Sequence, residues 1–397
     1  MPFSEKCLSI TPSATLALSA KAKELKEEGR DVVEFGAGQP DFDTPGYIKD
    51  AAKAALDQGK TKYTPASGIP QLRKAICEKM QKDNGLSYTP GQIVVTNGAK
   101  HALFNTFFAL LNPGDEVLIP SPYWTTYPEI VKMADGEPVY INTDESDGFK
   151  MTPEQLSDAI GPKTKAIILN SPSNPTGAVY EKEELLALCE VLKQHPIYIV
   201  SDEIYERFVY GGIVHHSLAE LCPELIDRTV IINGVSKTYA MTGWRIGYSA
   251  SCKELAKIMG SVQSHATSNP NSIAQWASLA AVQNGYEEVD KMRDVFQERR
   301  DLAVSMISKA PGISCVTPRG AFYIMINISE AFGKSYQGKV IEGSLDFCDV
   351  LLESFDVAAV PGYAFGSDAH IRISYATDKE SIQKGLERIA RFMAQLS

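Results

Sequence analysis

No two of the seven cysteines are spaced as CxxC, and none of the six histidines belongs to an HExxH stretch. The cysteines (Cys7, Cys77, Cys189, Cys222, Cys252, Cys315 and Cys348) are scattered and odd in number. They read as reduced, mostly buried thiols rather than as a disulfide framework. Without HExxH the usual zinc-protease pattern is missing, and no metal site is expected. Long apolar runs are lacking too. Nothing approaches the roughly 20 residues that cross a bilayer. The N-terminal stretch MPFSEKCLSITPSATLALSAKAKELKEEG has only a short apolar run, broken by Ser and Thr. It is not expected to be a secretory signal, and the expected compartment is the cytoplasm. Clustered positive charge is also missing. Thirty-nine Lys and Arg against 49 Asp and Glu leave a net charge of -10. Phosphate contacts to nucleic acid need concentrated Lys and Arg, so no nucleic-acid partner is expected, although a pocket can still be locally basic. GAGQPDFDTP (36–45) lacks the third glycine of a dinucleotide fingerprint, so that reading is rejected.

The chain of 397 residues is 44% hydrophobic, enough for more than one core. Short β-branched runs recur: IVVT (93–96), EVLIP (116–120), PVYIN (138–142), KAIILN (165–170), IYIVSDE (197–203), VIING (230–234) and RIGYSA (245–250). Most do not alternate, which suits strands covered on both faces. Helical segments such as EKEELLALCEVLKQH (181–195) lie between several of them. The expected fold class is therefore α/β, a large domain with a mostly parallel sheet flanked by helices. After about Gly285 a long charged helix, GAFYIMINI, HIRISYA and a final amphipathic helix predict a smaller α+β domain. The expected division is 46–285 for the large domain, with 1–45 and 286–397 in the small one. The segment EAFGKSYQGKVIEGS (330–344) has no evident role.

Open parallel sheets bind ligands at the carboxyl ends of their strands. Lys237, in NGVSKTYAMTGWRIGY, follows such a strand. A lysine there is costly to bury unless it is neutral, and a neutral amine attacks aldehydes; alternatively it is a surface lysine opening a helix. Ser236 and Arg245 nearby could hold a phosphate. Asp202, ending IYIVSD, could pair with a pyridinium nitrogen or simply cap a helix over EIYERF. Tyr205 could reach a phenolate oxygen of the same ring or be a core tyrosine. Lys100, in NGAKHALFN, is a cation at a helix N-terminus, with no Asp or Glu between Asn84 and Gly114. That placement opposes the helix dipole, so either a ligand anion, a distant partner or solvent compensates it. Trp124 could stack on an aromatic ligand, and Asn174 could donate to one or form an Asx-turn. Arg372, between Ile371 and Ile373, could grip a carboxylate or face solvent. Gly38 could let backbone approach a ligand closely.

Together SDEIYE, SPSNPTGAVY and VSKTYAMTGWRIGY, at these spacings, resemble the class I aminotransferases of the fold-type I pyridoxal-phosphate family, and the resemblance runs from PSATLAL to HIRISYAT. It implies pyridoxal 5'-phosphate as cofactor, bonded by Lys237. Asp202 would pair with the ring nitrogen, Tyr205 and Asn174 with the phenolate oxygen, and Trp124 would stack on the ring. Ser236, Arg245 and the backbone of Ala99 and Lys100 would hold the phosphate. Tyr63 would reach the phosphate of a neighbouring subunit, implying a homodimer. Arg372 and the backbone of Gly38 would bind the substrate α-carboxylate, with Trp124 and Asn174 beside it. AGQPDFDTP, NGAKHALFN and SPYW are similar to the bacterial-type aspartate aminotransferases of subgroup Ib. That implies Lys100 and Thr15 at the distal carboxylate of aspartate, with 2-oxoglutarate as an acceptor. Prephenate, aromatic or other substrates, or a lyase reaction on the same scaffold, are the alternatives. A transcription regulator would need a further DNA-binding domain, for which the end-to-end resemblance leaves no room.

Overall fold

The computed structural model describes residues 3–397. Seven strands form the main sheet: β1 (Ile93–Thr96), β2 (Glu116–Ser121), β3 (Glu137–Asn142), β4 (Thr164–Asn170), β5 (Tyr198–Asp202), β6 (Thr229–Gly234) and β7 (Gly247–Ala250). Their spatial order is β1-β7-β6-β5-β4-β2-β3. Alternate residues of single strands enter two different cores. Val117 and Ile119 of β2 join one and Leu118 the other; Ile168 of β4 and Val200 of β5 face the first, Ile167, Leu169 and Ile199 the second. Helices Ala99–Leu110 and Lys253–Ala266 cover the first face, and Lys182–Lys193 covers the second. A strand with helices on both faces must be apolar at every position, which is why these runs do not alternate.

Neighbouring pairs from β6 to β3 across the sheet are parallel. Strand β7 alone runs the other way, antiparallel to both β1 and β6. The run RIGYSA reads as a strand from its first residue, but the strand begins at Gly247. Arg245 stands before it in a left-handed conformation, φ 58°. No helix follows Asp202 either. The chain tightens into turns, with Glu206 N donating to Glu203 O at 2.9 Å and Phe208 N to Tyr205 O at 2.8 Å.

A smaller antiparallel sheet is ordered Val360–Pro361, His370–Ser374, Tyr323–Asn327, Ser314–Cys315. Helices Glu287–Ile307, Ser344–Phe355 and Lys379–Ala394 pack around it. Val33–Glu34 pairs in parallel with Val357–Ala358, and Ser374 N donates to Phe35 O at 2.9 Å. The beginning of the chain is thereby fastened beside its last third. The segment 330–344 forms a hairpin between Ser335–Tyr336 and Lys339–Val340, and the Tyr336 ring packs 5.2 Å from Phe355 and 5.8 Å from Phe392. Among the described residues no helix is long and apolar enough to cross a membrane.

Candidate active site

Parallel strands deliver their carboxyl ends to one edge of the sheet. Asn170 ends β4 and Asp202 ends β5, paired in register. β6 leads into Ser236 and Lys237, and β1 into Gly98 and the helix Ala99–Leu110. Because β7 is reversed, its beginning reaches this same edge: Gly247 pairs with both Thr96 and Gly234. That reversal is what brings Arg245 to the others. The gap between the strands is tight. A Cβ on Gly247 would run into Ala99 N, and one on Gly98 into the Arg245 guanidinium.

The edge opens on a cavity of about 400 Å³, lined by Thr15, Gly38, Ala99, Lys100, Trp124, Asn174, Asp202, Tyr205, Ser236, Lys237, Arg245 and Arg372. Tyr63 lies outside it and is 92% exposed. Tyr127, Asn170 and Tyr323, which the sequence did not single out, also line the cavity. The Tyr127 hydroxyl donates to Asp202 Oδ2 at 2.8 Å, and Ile204 N donates to Oδ1 at 3.2 Å. Asn170 Nδ2 donates to the Asp202 carbonyl at 3.0 Å. The hydroxyls of Tyr205 and Tyr323 are 2.8 Å apart. Lys237 Nζ donates to the Gly38 carbonyl. Arg372 is 2% exposed, not solvent-facing; it donates to Asn174 Oδ1 and to Gly36 O, both at 2.9 Å, and its Nε has no partner among the described residues. Lys100 Nζ stands 4.9 Å from the centre of the Trp124 ring.

Charge decides what the cavity can hold. Lys100, Lys237, Arg245 and Arg372 line it against a single carboxylate, Asp202. Among the described residues none of the four forms an ion pair. An acidic protein thus has a basic cavity, which calls for an anionic ligand. Burial, reinforced by the Arg245 and Arg372 cations, pushes the Lys237 ammonium down to about 7 from its ordinary 10.5. Burial raises Asp202 to about 6, against the pull of the Tyr127 and Ile204 hydrogen bonds. Burial lowers Lys100 as well, with Arg245 adding to the effect. The amides of Ala99 and Lys100 open a helix and have no backbone acceptor among the described residues. Free amides at a helix start, a guanidinium and the Ser236 hydroxyl match a phosphate dianion. A near-neutral amine and a buried carboxylate a short way off match an aldehyde and a ring nitrogen. The donor set therefore fits a phosphorylated pyridine aldehyde.

Residues 30–389 match the family described as aminotransferase class I and II. The chain belongs to that family. As an aminotransferase it is 52% identical over 393 residues to an aspartate aminotransferase of Geobacillus stearothermophilus, covering 99% of each chain. It is 51% identical over 397 residues to an aspartate/prephenate aminotransferase of Cereibacter sphaeroides, covering 100% of this chain and 99% of that one. The crystal structure of the aspartate aminotransferase from Rhizobium meliloti superposes with a TM-score of 0.97 at 47% identity over the whole of both chains.

Proposed function

We propose that this aminotransferase moves the amino group of L-aspartate to 2-oxoglutarate, reversibly and by a ping-pong course, using pyridoxal 5'-phosphate. The observation that carries the reading is the cavity's three cations, Lys100, Arg245 and Arg372, unpaired among the described residues, around one near-neutral lysine, Lys237. Three anionic groups would occupy it: a phosphate and the two carboxylates of aspartate. When bound, the cofactor supplies a carbonyl that condenses with amines and a ring that draws electrons from the reacting carbon.

The chain's residues then divide the work. Ser236, Arg245 and the amides of Ala99 and Lys100 hold the phosphate. Asp202, its carboxylate oriented by the Tyr127 hydroxyl, would pair with the ring nitrogen and favour its protonated form. Trp124 would stack on the ring, and Tyr205 and Asn174 would hold its phenolate oxygen. Lys237 would hold the cofactor through its aldehyde, and its near-neutral Nζ would serve as the general base and acid that moves the substrate's Cα proton to the cofactor. Arg372 and the Gly38 backbone hold the α-carboxylate, and Lys100 and Thr15 the distal one. Among the described residues the Lys100 side chain has no carboxylate partner, which favours a dicarboxylic substrate over an apolar one.

The same reading divides the chain into a large domain (46–285) and a small one (1–45 with 286–397). It places the protein in the cytoplasm as a homodimer, Tyr63 reaching the neighbouring phosphate. Prephenate is a second acceptor to consider, because a relative at 51% identity is named for both activities. The deciding experiment is the visible spectrum of the cofactor-loaded protein without any oxo acid. Aspartate is expected to bleach the yellow band and release oxaloacetate, and leucine to leave it. Bleaching by leucine but not aspartate would overturn the substrate assignment.

A further inference from the structure

Resting on the assignment of Arg372 as the carboxylate grip, the strand pair that carries it shows a second point of support. Strands Tyr323–Asn327 and His370–Ser374 are antiparallel, with Met325 opposite Arg372 and Asn327 opposite His370. Tyr323 and Arg372 face the cavity. Two residues before Arg372, about 7 Å along the strand and on the same face, lies His370. There His370 and Asn327 converge on one carboxylate from outside their sheet. His370 Nε2 is 3.0 Å from Glu145 Oε1, and Asn327 Nδ2 donates to Oε2 at 3.2 Å.

Glu145 belongs to the loop that leaves β3 at Asn142, and this loop is itself pinned. Thr143 N donates to Ser121 O at 3.0 Å, Phe149 N to Asp144 O at 2.7 Å, and Ser146 N to Asp144 Oδ1 at 2.7 Å. The buried Phe149 ring meets the His370 ring edge-on, 5.4 Å away. Ser367 Oγ is 2.8 Å from His370 Nδ1. With that hydroxyl donating to Nδ1, Nε2 carries the hydrogen and donates to Glu145, so the contact needs no charge on the ring. At the cavity end the guanidinium is held by Asn174, but an arriving carboxylate competes for those same N–H groups. The Glu145 contact is untouched by that exchange.

We propose that Glu145, through His370 and Asn327, is a positioning residue: it fixes the strand pair against the main sheet so that Arg372 and Tyr323 stay aimed at the bound carboxylate. In the cofactor-loaded enzyme, Glu145→Ala is expected to raise KM for aspartate, alanine and 2-oxoglutarate together by about 10-fold, with kcat changed by less than about 3-fold. The visible spectrum should be unaltered, and amide hydrogen exchange should quicken at residues 323–327 and 370–374. Glu145→Gln keeps an acceptor for Nε2–H and should recover most of the loss. A mere loss of folded protein lowers apparent kcat and leaves KM alone. Unchanged KM in Glu145→Ala overturns the positioning role, whatever the exchange rates. If the unaltered enzyme transaminates none of these substrates, it is the activity reading that fails. Exchange then decides the grip by itself: faster exchange upholds it and unaltered exchange overturns it.

Discussion

At the scale of single residues, Lys237 carries the chemistry and also a thermodynamic signature. Its ammonium is held down to about 7 by burial and two arginines, whereas in the unfolded chain it keeps the ordinary 10.5. Between those values the unfolded state binds more protons, so stability of the cofactor-free protein should rise with pH through that window. Thermal unfolding from pH 7 to 10 should show wild type gaining on Lys237→Met as pH rises; parallel curves would mean the amine is solvated. Asp202 acts with opposite sign lower down. Raised to about 6 from 3.8, it makes stability fall as pH rises through that interval. Lys100 and Arg372 should separate by substrate. Arg372→Leu should weaken every amino donor, by about 2–4 kcal/mol for a buried bidentate pair. Lys100 is more exposed. Lys100→Ser should cost aspartate about 10- to 100-fold in kcat/KM while sparing alanine and phenylalanine. Equal losses on all three donors would assign Lys100 to the phosphate site or the fold. Lys237 and Asp202 were legible because each follows an apolar run where only a ligand or a cap explains a polar group. Tyr127 and Tyr323 were not. Tyr127 sits in an ordinary helical stretch, and Tyr323 in a strand whose partner lies some fifty residues away; nothing local marks either.

At the scale of elements, the helix Ala99–Leu110 depends on one residue. Gly98 has φ 86° and ψ 162°, a conformation closed to L side chains, and a Cβ there would meet the Arg245 guanidinium. Gly98→Ala should therefore strike twice, through backbone strain of about 1–3 kcal/mol and through displacement of a phosphate ligand. Cofactor titration should show affinity falling by at least about 10-fold, more than stability alone explains. Retained affinity would place the phosphate elsewhere. The apolar runs foretold six of the seven strands closely, since two covered faces leave no polar positions. They could not foretell direction. A strand's residue pattern reads the same whichever way it runs, so the reversal of β7, and with it the delivery of Arg245, came only from the register with Gly234 and Thr96. The turns after Asp202 were also hidden. EIYERF has helical composition, yet Glu203 and Glu206 are drawn inward, to Ser201 and Ser217 and to Lys79, Asn84 and Asn233.

At the scale of the whole molecule, Tyr63 stands exposed outside the cavity, and the proposed homodimer is what would give it a role. If each Tyr63 serves the neighbouring site, two crippled chains should repair one another. Mixing Tyr63→Ala with Lys237→Ala and allowing exchange should restore activity above either parent, because one site in each mixed pair regains both residues. No recovery, together with sedimentation as a monomer, would end the homodimer assignment. The long-range fastening of Val33–Glu34 to Val357–Ala358 was only partly legible, because parallel pairing between distant segments leaves no local trace. The convergence of strand ends has one more consequence. The main sheet sends its site residues to one rim, and the opposite rim carries short connections, such as 161–163 ahead of β4. Added length there lies a full strand away from the cavity, and loop closure charges only about 0.6 kcal/mol per doubling. That rim is the natural place to tether a reporter, a surface or another enzyme, leaving the working rim unobstructed.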